Sequence, residues 1–144
     1  MTAQRSTKEQ HEYQRNTNED QGKGCPFCAM SEGHPQFVRE TEYLKVIKNR
    51  CPYSLWDDQG VVDHLMIVPK QHIGKLGSLN SEASHEFIRL IDEYEEKGYS
   101  FYARAPHSTM RSEPHQHTHL MKLDQKKRNF LLMIRRPWYF RPSK

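Results

Sequence analysis

Residues 115–121 read His-Gln-His-Thr-His-Leu-Met and carry three histidines at alternate positions. Successive side chains of a β-strand point to opposite faces, so a strand here puts His115, His117 and His119 on one face. Buried imidazoles need polar partners, and a core rarely uses three of them in a row. The spacing therefore predicts a functional site rather than a structural one.

One metal ion is a poor fit to all three histidines. At about 3.3 Å per residue the outer pair lies about 13 Å apart along a strand, whereas Zn–N bonds measure only about 2.0–2.1 Å. A neighbouring pair could chelate an ion, but a division of labour among the three is more natural. A metalloenzyme with its ion at the triad itself stays open as an alternative.

Upstream, residues 25–28 read Cys-Pro-Phe-Cys. Two cysteines at this spacing form the usual thiolate clip for zinc, although redox pairs share the pattern. No thioredoxin-like βαβ pattern surrounds the motif, which favours zinc. The chain has three cysteines and no apolar stretch typical of a signal peptide near its N-terminus, so a disulfide scaffold is not expected.

The 144 residues predict one domain over residues 25–144, preceded by a flexible polar tail over residues 1–24. Apolar spacing predicts one long helix from Asn80 or Ser81 to Lys97. A mainly antiparallel sheet of about five strands completes an α+β fold. The predicted strands are Tyr43–Ile47, His64–Val68, Tyr99–Ala103, His115–Met121 and Phe130–Ile134.

Charge is distributed unevenly along the chain. The net charge is +4, while the basic, aromatic C-terminal segment 122–144 alone carries +7. Such a segment suggests an anionic partner such as a nucleotide, nucleic acid or acidic surface, although charge alone favours a solvated tail. The longest apolar run has five residues, far below the roughly 18 of a membrane span. A cytoplasmic protein without membrane contact is expected.

Together these motifs resemble those of the histidine triad (HIT) superfamily of nucleotidyl hydrolases and transferases. Residues 115–121 match its signature of alternating histidines followed by apolar residues. Residues 64–72, His-Leu-Met-Ile-Val-Pro-Lys-Gln-His, match a second signature, and Cys25 with Cys28 matches a third. The motifs occur in the family's order, and the resemblance covers about residues 25–121.

The resemblance implies roles for individual residues. His117 would be the nucleophile that attacks the α-phosphate of a nucleotide, and His119 would lie near the leaving-group or bridging oxygen. His64 would support both from a neighbouring strand. The resemblance also implies a homodimer and a structural zinc ion, whose ligands would be Cys25, Cys28, His72 and His115.

The phosphate loop departs from the family pattern. Ser112 matches the family serine, whereas Met110 and Arg111 replace its glycine and glutamine, and Arg104 replaces an asparagine. Arginine offers charge-assisted phosphate contacts that amides cannot make, so Arg104 and Arg111 are predicted to favour a more anionic ligand. Asn49 is the candidate for contact with the ribose hydroxyls.

The resulting hypothesis is a nucleotide hydrolase that acts on a nucleoside phosphoramidate or a dinucleoside polyphosphate through a nucleotidyl-His117 intermediate. The third histidine favours the hydrolase branches, because the transferase branches typically have glutamine at that position. The alternative is a nucleotide- or nucleic-acid-binding module that keeps the fold and the zinc with little or no turnover.

Overall fold

A computed structural model of the chain describes residues 5, 7–20, 22, 24–128, 132–135 and 139–142. The helices in these residues are α1 (Thr7–Asp20), α2 (Pro26–Ala29) and α3 (Ser81–Glu96), with a 3₁₀ turn at Leu76–Ser78. The strands are β1 (Phe37–Glu40), β2 (Leu44–Lys48), β3 (Leu55–Trp56), β4 (Gln59–Pro69), β5 (Tyr99–Ala103), β6 (Thr118–Leu123), β7 (Leu132–Arg135) and β8 (Tyr139–Pro142). Within the described residues, no helix combines the length and apolar character needed to cross a bilayer.

Six strands form one antiparallel sheet. Its order is β1-β2-β4-β6-β5, and β3 pairs with the beginning of β4. The strands β7 and β8 form a separate antiparallel pair. This architecture confirms the predicted α+β class and mainly antiparallel sheet, with six strands rather than about five in the main sheet.

Helix α3 covers one face of the sheet. The side chain of Asn80 caps its first turn by accepting a hydrogen bond from the backbone N–H of Ala83 at 2.8 Å, which decides between the two predicted starting residues, Asn80 and Ser81. The apolar stripe of α3 packs against alternate residues of the central strands. The buried members of this core are Leu44, Val46, Leu65, Ile67, Phe87, Leu90, Ile91, Tyr94 and Leu120.

The opposite face of the sheet carries the candidate site. Strand alternation turns Ile47, Met66 and Val68 away from α3, and they pack against Phe27 and Met30 beside α2. His64 and His119 alternate with residues of the α3-facing core, so their side chains lie on this second face as well. The sheet thus holds two of the three catalytic candidates on one face.

The turn between β3 and β4 organises a loop whose shape the sequence leaves open. Asp57 and Asp58 both have positive φ angles, 49° and 60°, as the two central residues of a type I′ hairpin require. The hairpin folds the preceding segment, which contains Tyr53, onto the histidine face.

The N-terminal region differs from its prediction. The sequence predicts a flexible tail over residues 1–24, but residues 7–20 form α1. The helix has no apolar stripe, and its contacts with the domain are polar: Asn16 Nδ2 donates to Cys51 Sγ at 3.4 Å, and Glu9 accepts from Ser54. Hydrophobic periodicity does not predict a helix that contacts the domain through polar side chains.

The triad segment and the C-terminus also differ from prediction. Regular β6 pairing begins only at Thr118, so His115 and His117 precede the strand instead of lying within it. The predicted strand Phe130–Ile134 lies partly outside the described residues, and the structure has β7 at Leu132–Arg135. Side chains of residues 129–144 are likewise outside the description.

Candidate active site and metal centre

A chain of hydrogen bonds fixes the protonation of two imidazoles. The backbone N–H of Tyr53 donates to His64 Nδ1 at 3.1 Å, and a backbone amide can only donate. The proton of neutral His64 must therefore lie on Nε2, which is 2.9 Å from His119 Nδ1. His64 donates there, so His119 carries its own proton on Nε2.

His117 has the complementary tautomer. Its Nδ1 lies 2.9 Å from the carbonyl oxygen of His115, which can only accept, so Nδ1 carries the proton. The lone pair of the neutral ring is then on Nε2. His117 and His119 pack edge to face with their ring centroids 5.1 Å apart, and both line one cavity. The cavity wall therefore offers a nitrogen nucleophile beside an N–H donor.

Burial keeps these rings neutral. His64, His117 and His119 are each at most 6% exposed. Desolvation is the largest cause that lowers their pKa values: that of His64 falls to about 3, that of His119 falls well below its ordinary range, and that of His117 falls as well. The positive charge of Arg5 adds to the effect at His64 and His119.

Acid should destabilise the fold through His64. Its pKa is about 3 in the folded chain and about 6.5 when unfolded, so its contribution is fully present above pH 6.5 and is lost as the pH falls toward 3. Between pH 7 and pH 5, wild type should lose about 2 kcal/mol more unfolding free energy than a His64→Asn variant. Urea unfolding at both pH values measures this difference.

The matched variant is needed because the cysteine and histidine cluster described next also responds to acid. That response is common to wild type and His64→Asn, so it cancels in the comparison. Equal losses in the two proteins would contradict a neutral buried His64.

Four side chains form a candidate metal centre. Cys25, Cys28, His72 and His115 have their ligand atoms within 4.8 Å of one another. His115 Nδ1 lies 3.2 and 3.5 Å from the Cys25 and Cys28 sulfurs, and His72 Nδ1 lies 3.3 Å from the Cys28 sulfur. In a tetrahedron with Zn–S near 2.3 Å and Zn–N near 2.0–2.1 Å, sulfur and nitrogen are roughly 3.6 Å apart. These residues could hold a metal ion, and their donor set and spacing fit zinc.

Neighbouring groups orient these ligands. His115 Nε2 donates to the Pro69 carbonyl at 3.0 Å, which leaves Nδ1 for the metal. The buried Lys45 ammonium donates to the carbonyls of Phe27 and Met30 and so ties down the turn that carries both cysteines. The Phe27 ring packs 5.2 Å from that of His117, so the metal centre and the catalytic candidates share a wall.

The predicted phosphate- and ribose-binding residues separate into two groups. Ser112, Arg104 and Asn49 line the same cavity of about 220 Å³ as His117 and His119. Arg104 donates to the Tyr53 hydroxyl at 3.2 Å. Asn49 Oδ1 accepts a hydrogen bond from the backbone N–H of Cys51 at 2.9 Å. Its amide nitrogen lies 3.1 Å from His64 Nε2; both atoms carry hydrogen in the tautomer given above, so this contact is not a hydrogen bond.

Arg111 is turned toward backbone carbonyls instead. Its guanidinium donates to the carbonyl oxygens of Glu113, Gly74 and Pro114 at 2.8–2.9 Å. These contacts join the loop after His72 to the segment that enters the triad. A contact between Arg111 and a phosphate stays a prediction.

Sequence reasoning missed three contributors to the site. Tyr53 sets the tautomer of His64 and packs 5.0 Å from its ring. Arg5 and Tyr13 bring the N-terminal helix to the cavity wall. Two aromatic residues close together in the sequence, Tyr53 and Trp56, are the feature that could have indicated Tyr53. No local sequence pattern indicates Arg5 or Tyr13.

Comparison with solved structures identifies the fold. A HIT family hydrolase from Clostridium thermocellum is 22% identical over 74% of this chain and 96% of its own, with a TM-score of 0.53. A HIT family hydrolase from Legionella pneumophila is 20% identical over 67% and 90%, with a TM-score of 0.49. A histidine triad protein from Clostridium difficile is 22% identical over 74% and 96%, with a TM-score of 0.49. No protein-family model and no curated protein sequence matches the chain.

The chain has the fold of the histidine triad proteins. The Clostridium thermocellum structure carries this conclusion, because its TM-score exceeds 0.5 and nearly all of its length is covered. This confirms the fold that the resemblance of the three motifs implies. At 22% identity it does not transfer an activity, which has to be argued from the site.

Proposed function

We propose that this chain is a HIT-type nucleotide hydrolase that forms a covalent nucleotidyl-histidine at His117. One observation carries the proposal: the hydrogen bonds leave His117 Nε2 with a lone pair beside His119 Nε2–H in one cavity. A nucleophile paired with a fixed donor is what two-step transfer of a nucleotidyl group requires.

In the first step, His117 Nε2 attacks the α-phosphorus and a P–N bond forms. The bond from phosphorus to the leaving group breaks, and the leaving group departs with the electron pair. His119 Nε2–H stabilises the charge of a phosphate leaving group, whereas an amine leaving group takes up a proton from solvent. In the second step, water attacks the phosphorus and releases a proton to solvent, while the P–N bond breaks and its electron pair returns to His117 Nε2. The product is a nucleoside monophosphate.

Other residues of the cavity suit a phosphate ligand. Ser112 offers a hydroxyl, and Arg104 offers a positive charge close enough to lower the pKa values of His117 and His119. Arg111 serves this proposal mainly by holding the entry to the triad through three carbonyls, with its predicted phosphate contact as a second role. Asn49 lines the cavity, where its proposed role is contact with the ribose hydroxyls.

A zinc ion held by Cys25, Cys28, His72 and His115 would supply structural cross-linking in this enzyme. All four ligands are protein side chains, so the site leaves no open position of the kind a catalytic zinc needs. Homodimer formation, a nucleic-acid partner for the basic C-terminal segment and a cytoplasmic location stay predictions of the sequence.

A substrate panel tests the proposal. Wild-type protein is incubated with an adenosine phosphoramidate, a dinucleoside polyphosphate and a nucleotide sugar, and nucleoside monophosphate is measured. We expect turnover of the phosphoramidate or the polyphosphate. Turnover of the nucleotide sugar only when an acceptor is added would indicate a transferase. Nucleotide binding with no release from any substrate would favour the binding module.

A further inference from the structure

The N-terminal helix forms one wall of the catalytic cavity. Arg5, which precedes α1, and Gln10, Tyr13 and Asn16 on the helix all line it together with His117 and His119. These residues lie outside the three sequence motifs, which begin at Cys25. The helix therefore brings polar groups to the reacting centre that the motifs do not supply.

Arg5 is held firmly in this wall. Its guanidinium carbon lies 4.3 Å from the ring centroid of Tyr13 and 4.5 Å from that of Tyr53. Its Nε donates to the Cys51 carbonyl at 3.1 Å, so this bond uses neither of the terminal nitrogens. Two aromatic rings and one hydrogen bond fix the plane of a charged group that lines the cavity.

The position of Arg5 relative to the triad identifies the side of the cavity that it serves. Tyr53, on which Arg5 stacks, has its ring centroid 5.0 Å from that of His64 and 5.9 Å from that of His119. The charge of Arg5 lowers the pKa values of these same two histidines. His119 is the donor to the leaving group, so Arg5 lies on the leaving-group side.

A second arginine faces the same tyrosine. Arg104 donates to the Tyr53 hydroxyl at 3.2 Å and lies over the Tyr102 ring at 5.5 Å. Tyr53 is thus flanked by a guanidinium on its face and another at its hydroxyl. Two cations around Tyr53, whose ring lies next to that of His119, raise the local concentration of anions and stabilise negative charge that develops there.

We propose that Arg5 and Arg104 form an anion subsite for the leaving group, so that the cavity favours substrates whose leaving group carries phosphate. This inference rests on the proposed hydrolase function and deepens it. Within the substrate classes that remain open, the subsite favours a nucleoside polyphosphate, whose leaving group is anionic, over a phosphoramidate, whose leaving group is a neutral amine.

The test compares two substrates that share an adenylyl group. One is a dinucleoside triphosphate of adenosine, which releases a nucleoside diphosphate, and the other is adenosine phosphoramidate. Arg5→Gln should lower kcat/KM about 10-fold or more for the triphosphate and less than twofold for the phosphoramidate. Arg15→Gln is the matched control, because it removes the same charge from an exposed position on α1, the helix that follows Arg5. It should change neither value.

Binding of inorganic pyrophosphate, measured by titration calorimetry, provides a readout that does not depend on turnover. Arg5→Gln should weaken it about 10-fold, and Arg15→Gln should leave it unchanged. If Arg5→Gln lowers kcat/KM equally for both substrates, or leaves the pyrophosphate affinity unchanged, the subsite proposal is wrong. Arg5 would then have only a structural role beside α1. If wild type turns over neither substrate, the hydrolase proposal fails, and the pyrophosphate titrations still decide whether the subsite exists.

Discussion

His117→Ala is expected to abolish turnover, with kcat/KM falling by about 10³-fold or more, while the protein remains folded. Removal of the ring removes the protein side chain that forms a bond to phosphorus in the proposed pathway. His117 is 6% exposed and packs against Phe27, so the variant also leaves a small void. Circular dichroism and a thermal melt must therefore accompany the assay.

His107→Ala is the matched control, because His107 is exposed and lies outside the described cavity. It should keep wild-type activity. A substrate labelled at the α-phosphate offers a direct view of the intermediate: acid-labile label should remain on wild-type protein after rapid denaturation and should be absent from His117→Ala. A folded variant that keeps more than a tenth of the activity would contradict His117 as the nucleophile.

Alternation and spacing predicted the part of the site that depends on short-range geometry. The two-residue repeat of His115, His117 and His119 indicated a shared function, and the distance argument divided them between two tasks. The structure brings His115 to Cys25 and Cys28 and leaves the other two at the cavity. The two positions are distinct in space even though regular β6 pairing starts only at Thr118, and the roles assigned to them stay predictions.

Contacts between distant segments were beyond the reach of the sequence. The bond from the Tyr53 backbone to His64 depends on a hairpin with two aspartates at positive φ, a conformation that is uncommon outside glycine. Helix α1 is polar all round, and such a segment reads as a tail unless its docking partners are known. Arg5 stacks on Tyr13 and Tyr53, and no local pattern of the sequence indicates such a contact.

Loss of the proposed zinc ion from the Cys25, Cys28, His72 and His115 cluster is expected to lower the stability of the fold by a large amount. The four candidate ligands join segments 44 to 90 residues apart, so one ion closes several long loops at once. Cys28→Ser should lose bound zinc and lower Tm by about 10 °C or more, which corresponds to a few kcal/mol in a chain of this size. Atomic absorption and calorimetry measure the two effects.

Cys51→Ser is the control for this experiment, because Cys51 is the one cysteine outside the cluster and should keep a full complement of metal. Phe27 joins the cysteine turn to His117, so loss of the metal should also lower activity by loosening that contact. The two metal hypotheses then separate cleanly. A structural ion at the cysteines remains bound in His117→Ala and His119→Ala, whereas an ion at the triad would be lost from both.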